Sequence, residues 1–233
     1  MDTLLAALRS AAGLILSPTG ELVGIVSLTF AVSGAALLLS AAAGVPLGAL
    51  VGLKRFPLRG VIISGLNAFM GLPPVVVGLF IYIMLSRSGP LGFMGLLYSP
   101  PAMVAAQFVL ALPIVAALTH SAVVNVEPAV RLSARTLGAT HWQETLLVIN
   151  EARYGIMSAV IAAFGRVMAE VGAVLMVGGN IAGYTRVMTT TIALETDKGD
   201  FSLALALGII LLAISVAINA ALHAAQRRGK REA

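Results

Sequence analysis

Apolar residues fall along this chain in five long runs, roughly 22–53, 61–85, 102–124, 156–177 and 201–222, with the polar positions gathered between the runs. A helix rising about 1.5 Å per residue needs about 20 such residues to cross a hydrocarbon layer of about 30 Å, so each run predicts one crossing. The first run is too long for one untilted crossing. Its inner half, around Gly44, Val45 and Pro46, is expected to kink or to project past the membrane. Ser99 before Pro100 and Asp200 before Phe201 predict the starts of the third and fifth helices.

The longest polar interruption is 131–156, which carries Arg131, Arg135, Glu144, Glu151 and Arg153 between two apolar runs and must therefore lie in water at a bilayer face. Good helix formers over 133–137 are followed by Gly138, suited to a left-handed stop. Thr140 with Gln143 forms a capping-box pattern that restarts a helix. Two short helices joined at a glycine are predicted. An amphipathic loop lying on headgroups is the plainer alternative, and Trp142 suits it.

Two runs break the rules for a spanning helix. Asn67 to Pro74 contains Gly71 and the pair Pro73 and Pro74, which removes two backbone donors and predicts a break. Such a break either lines a cavity or serves packing alone. The fourth run holds Arg166, Glu170 and Gly172, with Arg166 about 15 Å deep at about 1.5 Å per residue. An isolated charge there costs on the order of 3 kcal/mol or more. A four-residue spacing on one continuous helix lets Arg166 and Glu170 neutralise each other, as a structural or gating pair or as groups that meet a passing ion. Gly178, Gly179 and Asn180 are expected to end this run at the outer face, with Asn180 able to terminate the helix.

Composition confirms the class. The chain has 233 residues, of which 59% are hydrophobic and 11% charged, and its mean hydropathy is +0.99. This is an integral membrane protein. It contains no cysteine, so a disulfide framework and a thiolate metal site are both excluded. The net charge of +5 points to nucleic acid only if the basic residues share a face, and they do not. Ten lysines and arginines gather on one side: Lys54, Arg55, Arg59, Arg131, Arg135, Arg153, Arg227, Arg228, Lys230 and Arg231. The other side has Arg9, Arg87, Arg186 and Lys198, diluted by acidic residues. The positive-inside rule then puts the C-terminus and 131–156 in the cytoplasm and the N-terminus outside. Residues 1–21 read as an interfacial extracytoplasmic segment ending at Ser17, Pro18, Thr19 and Gly20, residues 22–224 as the membrane domain, and residues 225–233 as a basic tail. The outer connections 86–99 and 181–199 read as short loops.

The histidines His120, His141 and His223 are scattered, so no metal centre is expected. There is no phosphate-binding glycine loop with lysine and hydroxyl, and no Gly-x-Ser-x-Gly setting, so the chain is not read as an enzyme.

Ser133-Ala134-Arg135 followed by Leu137-Gly138-Ala139 resembles the cytoplasmic coupling segment of ATP-binding-cassette (ABC) importer permeases. Ser133 stands where that family has Glu, and Asn150-Glu151 where it often has Leu-Pro. The stretches 71–78, 86–92, 177–190 and 192–196 resemble permeases of the tungstate and molybdate oxyanion importers, most of all the tungstate type. The spacing of Arg166, Glu170 and Gly172 resembles them too. The resemblance implies an all-α polytopic protein with five transmembrane helices in the ABC type I importer transmembrane-domain fold. It further implies a homodimer in a prokaryotic cytoplasmic membrane, served by two cytoplasmic ABC ATPase subunits and an extracytoplasmic tungstate- or molybdate-binding protein. ATP and Mg would be held by the ATPase, and this chain would bind no cofactor. Ser133, Ala134, Arg135, Leu137, Gly138 and Ala139 become the ATPase-coupling candidates, with Ala134, Leu137, Gly138 and Ala139 as the inserted ridge. Asn67, Gly71, Pro73, Pro74, Arg166, Glu170, Gly172 and Asn180 become the pathway and gate candidates. The alternatives are a molybdate or sulfate-like permease and a stand-alone secondary anion transporter. The latter would need inverted repeats or a coupling-ion site, and the sequence displays little of either.

Overall fold

The computed structural model describes residues 2–17 and 19–231, with side-chain surroundings for all of these except 2–4, 6, 7, 10 and 221–231. Pro18 of the proposed turn and the side chains of the basic tail 225–233 lie outside the described residues. Every regular element among the described residues is helical: α1 (Asp2–Leu16), α2 (Gly20–Leu53), α3 (Arg59–Met70), α4 (Pro74–Leu85), a short 3-10 turn (Gly92–Met94), α5 (Pro100–Val124), α6 (Pro128–Thr136), α7 (His141–Glu151), α8 (Arg153–Met168), α9 (Gly172–Gly178), α10 (Met188–Lys198) and α11 (Phe201–Arg231).

Three stretches are long and apolar enough to cross a membrane: Gly20–Leu53, Pro100–Val124 and Phe201–Ala220. Two interrupted pairs, α3 with α4 (bent by 101°) and α7 with α8 (bent by 56°), bring the number among the described residues to as many as five if each pair is one crossing. Leu38, Leu212 and Val216 are each about 70% exposed on spanning helices, a surface that suits lipid and not water.

The chain forms two compact units. The first comprises Met1–Ala36, Pro73–Gln107 and Val167–Ala233. Within it α1 and α10 pack on α11, and α4 packs on α9. Gly78 permits the α4–α9 approach, since a Cβ there would stand 2.7 Å from the Ala173 Cα. The second unit comprises Leu37–Leu72 and Phe108–Arg166. In it the inner half of α2 lies against α5 along Gly44, Gly48 and Gly52, which recur every four residues and so share one helix face. A Cβ on Gly48 would overlap the Ala116 carbonyl oxygen and stand 2.8 Å from the Thr119 Cβ. This is the small-residue seam by which membrane helices gain dispersion contact where no hydrophobic effect drives them together. Ser40 donates from Oγ to the Phe108 carbonyl on the same face, at 3.4 Å.

Helix α2 runs as one 34-residue element with Pro46 inside it, about 51 Å at about 1.5 Å per residue and so long enough to project past a hydrocarbon layer of about 30 Å. Three expectations change in detail. The fourth run is not one helix: α8 stops at Met168 and α9 starts at Gly172. Arg166 therefore lies in α8, and Glu170 in the break before α9. One use of the Glu170 carboxylate is local. It accepts the Ala173 N–H at 2.9 Å in the first turn of α9. The connection 181–199 is not a loop, because α10 occupies most of it and buries Met188, Thr189, Thr190, Thr191 and Glu195. Finally, Ser99 precedes α5 as expected, but its hydroxyl turns back to the Leu96 carbonyl and caps nothing in the helix. Asp200 does cap α11, accepting from Ser202 N at 3.1 Å and Leu203 N at 3.4 Å.

Candidate functional site

Helix α6 ends at a Schellman motif. Gly138 takes φ 81°, Gly138 N donates to Arg135 O at 3.0 Å, and Ala139 N donates to Ala134 O at 3.0 Å. Two residues later the chain restarts: Thr140 N donates to Gln143 Oε1 at 2.8 Å while Gln143 N donates to Thr140 Oγ1 at 3.4 Å, the capping box expected from the sequence. The turn between the helices thus has its backbone groups satisfied at both ends, which fixes the hairpin angle.

A fork of charge ties the two helices together. Arg135 donates from Nε to Glu144 Oε2 at 3.0 Å and from Nη2 to Glu144 Oε1 at 2.9 Å. The hydrogen bond from Arg135 holds the Glu144 carboxyl below its ordinary range against the opposing effect of burial, with help from the charges of Arg135, His141 and Arg131. The same hydrogen bond raises the Arg135 guanidinium. Neither the charge nor the spacing of nine residues had marked Glu144 as the partner of Arg135.

Below the turn, Val148 and Ala152 join Ala49, Val123 and Val126 in one buried cluster, with Leu53, Val130 and Ile156 packed around it. Residues from α2, α5, α6, α7 and α8 meet there. The base of the hairpin is therefore close-packed against the ends of α2 and α5.

The six coupling candidates are brought together in this hairpin, but they do not share one surface. Leu137, at the apex, is 87% exposed; Ser133, Arg135 and Gly138 are exposed, and Ala139 is half-buried. Ala134 is buried and accepts the closing hydrogen bond of the turn, so it supports the ridge from behind. Leu132 and Trp142 are 65% and 69% exposed and add apolar surface to a segment surrounded by charge. An exposed apolar apex on a rigid polar hairpin is the form of a docking surface.

The pathway candidates are distributed differently. In the first unit, Pro73 and Pro74 open α4, and Gly172 lies beside it, where a Cβ would stand 2.9 Å from Val75 Cγ2. Glu170 is 2% exposed, and its backbone carbonyl accepts from Thr189 Oγ1 at 2.8 Å. Asn180 lies at the far end of α9, where its Oδ1 accepts from Thr190 Oγ1 at 2.9 Å. Gly179 takes φ 70° ahead of it. Thr185 donates to Gly178 O at 2.6 Å, and Thr29 Oγ1 accepts from Met188 N at 2.9 Å. These hydroxyls latch α10 in place; the run of threonines at 189–191 was the available signal. In the second unit, Asn67 and Gly71 are exposed around the end of α3, and Arg166 is half-buried in the last turn of α8.

Comparison with known proteins gives this architecture a family. Residues 44–231 match the model of the "Binding-protein-dependent transport system inner membrane component". The chain belongs to that family. It is 46% identical over 204 residues to a probable anion ABC transporter permease protein of Haloferax volcanii, covering 85% of this chain and 88% of the relative. It is 41% identical over 226 residues to the tungstate uptake system permease protein TupB of Peptoclostridium acidaminophilum, covering 97% of this chain and 99% of that one. Its fold matches a chain in the crystal structure of a bacterial alginate ABC transporter in complex with an alginate pentasaccharide-bound periplasmic protein, with a TM-score of 0.75 and 17% identity over 97% of this chain and 88% of that one. The protein is thus an ABC importer permease subunit of the prokaryotic inner membrane with the type I importer transmembrane fold, a transport component and not an enzyme.

Proposed function

We propose that this chain is the permease subunit of a tungstate importer, working as a homodimer whose two hairpins, α6–turn–α7, each dock on one cytoplasmic ATPase subunit. The carrying observation is the hairpin itself, with its exposed Leu137 apex, its doubly capped turn and a base embedded in the buried cluster of α2 and α5. ATP-driven closure of the ATPases moves the two hairpins, and the rigid base tilts the spans between inward-open and outward-open states. An extracytoplasmic binding protein delivers the oxyanion, and the permease holds it weakly so that it can leave. The two-fold axis supplies the pathway that five helices of one chain are too few to enclose. Tungstate is favoured by the TupB relative, which aligns with nearly the whole chain, and the excess of arginines and lysines around the hairpin supports its cytoplasmic placement.

The test is reconstitution of the chain in liposomes with its ATPase and binding protein. Tungstate should raise ATP hydrolysis and enter the lumen, and neither should occur when the ATPase is omitted. Uptake without the ATPase would establish a stand-alone transporter instead.

A further inference from the structure

In the second unit a cavity of about 270 Å³ opens between the ends of α2 and α5 and the start of α6, lined by Gly52, Leu53, Arg55, Arg59, Val124, Val126, Pro128 and Arg131. Three of these are arginines, and no carboxylate lines the cavity. Two of the guanidiniums are held in place by backbone. Arg59 donates from Nε to Val51 O at 2.7 Å and Arg131 from Nη2 to Val123 O at 3.2 Å, so each sits on the carbonyl end of a helix while its other N–H groups have no hydrogen bond among the described residues. Arg55 makes no hydrogen bond or ion pair among the described residues. Glu144, which feels the Arg131 charge, already spends both carboxylate oxygens on Arg135.

Two held cations and a third, Arg55, share one concavity and repel each other, and no carboxylate lines it. A planar guanidinium with free N–H groups is suited to tetrahedral oxyanions, which accept paired hydrogen bonds from it. The volume equals about nine waters at about 30 Å³ each, room for one such anion with part of its hydration.

We propose that this cavity binds a tetrahedral oxyanion, of the tungstate or phosphate type, reaching it from the cytoplasmic side either free in solution or as the phosphate of a lipid headgroup. The occupant would bridge α2, α3, the end of α5 and α6, the same elements that carry the hairpin's motion, so binding and hairpin position are linked. Placing the opening in the cytoplasm rests on the importer reading; the binding chemistry does not.

The test uses the full chain in nanodiscs of phosphatidylcholine, titrated with sodium tungstate and with inorganic phosphate by calorimetry, and in nanodiscs containing phosphatidylglycerol, with retained lipid read by native mass spectrometry. Saturable binding of either anion in neutral discs, weakened about tenfold by Arg55→Gln, supports the free anion. Retention of phosphatidylglycerol that Arg55→Gln abolishes supports the lipid phosphate. Arg55→Lys keeps the charge without the fork and should fall between. Because Arg55 supports no other group, the thermal midpoint of Arg55→Gln should equal that of the unaltered chain, which separates lost binding from lost folding. Absence of both signals, or signals equal in Arg55→Gln and the unaltered chain, overturns the site. That result with ATP-driven tungstate uptake intact leaves the importer reading standing, whereas Arg55-dependent binding without any uptake overturns the importer reading alone.

Discussion

Replacing Gly48 by alanine adds one methyl group to the seam between α2 and α5, and its cost can be worked from the geometry. The new Cβ would overlap the Ala116 carbonyl oxygen, stand 2.8 Å from the Thr119 Cβ and 3.0 Å from the His120 nitrogen. Ordinary carbon–carbon contact is about 3.5–4.0 Å, so the helices must part by about 1 Å, and a gap of that size forfeits up to about half of each neighbouring dispersion contact. Overpacking of this kind costs about 1–3 kcal/mol, and the upper end applies because two of the three obstacles are backbone. The helix preference of alanine over glycine returns about 1 kcal/mol, leaving about 2 kcal/mol net. At about 2–4 °C per kcal/mol for a chain of this size, the thermal midpoint should fall by about 4–8 °C. Gly44→Ala and Gly52→Ala should cost less, since their nearest obstacles are the side chains of Val115 and Val123. Gly24→Ala, with nothing within 4 Å, should cost nothing. Circular dichroism melts of the four variants in one detergent decide it. A midpoint for Gly48→Ala at or above that of the unaltered chain, or an equal loss at Gly24, would refute the seam.

Three further outcomes follow from the same geometry. At Gly138 there is open space but φ is 81°, so conformation alone resists substitution: Gly138→Val, with a stiff branched side chain, should uncouple ATP hydrolysis from uptake, while Gly138→Asn, tolerant of the left-handed region, should retain most coupling. Glu144 has its pKa depressed by Arg135, so its contribution to stability is complete above the ordinary carboxylate range and is lost as pH falls through the lowered value; Glu144→Gln should therefore melt earlier than the unaltered chain at pH 7, with the difference vanishing under strong acid. Thr29→Val keeps the shape but leaves the buried Met188 N–H without its acceptor, and thermal unfolding should show a loss of about 1–3 kcal/mol.

How much of this could be read beforehand depends on the range of the interaction. The hairpin was legible because its determinants are local: Gly138 and the Thr140–Gln143 pair specify their caps within a few residues, whatever surrounds them. The break before Pro74 was legible for the same reason, since a proline pair removes donors wherever it stands. The interruption after Met168 was not, because 169–171 contain no breaker and the helix restarts on the carboxylate of Glu170 itself. Helix α10 was hidden by its polarity; its threonines satisfy their hydroxyls against Val187, Asn180 and Glu170 inside the fold, where packing overrides a weak helix preference. The Gly44, Gly48 and Gly52 spacing was present in the sequence, yet Pro46 beside it drew the reading toward a kink. Only the partner helix shows that the stripe is a seam. Among the coupling candidates, burial of Ala134 and pairing of Arg135 with Glu144 are tertiary facts, so the motif alone assigned all six residues to one surface.

The central claim is that the α6–α7 hairpin is a cytoplasmic handle gripped by a separate ATPase, and its apex offers a direct probe. The chain contains no cysteine, so Leu137→Cys introduces a single thiol at a position 87% exposed. Its labelling by a membrane-impermeant maleimide should be complete in inside-out vesicles, absent in right-side-out vesicles or intact cells, and suppressed when the ATPase subunit is bound. Labelling from the outside, or labelling indifferent to the ATPase, would contradict the account.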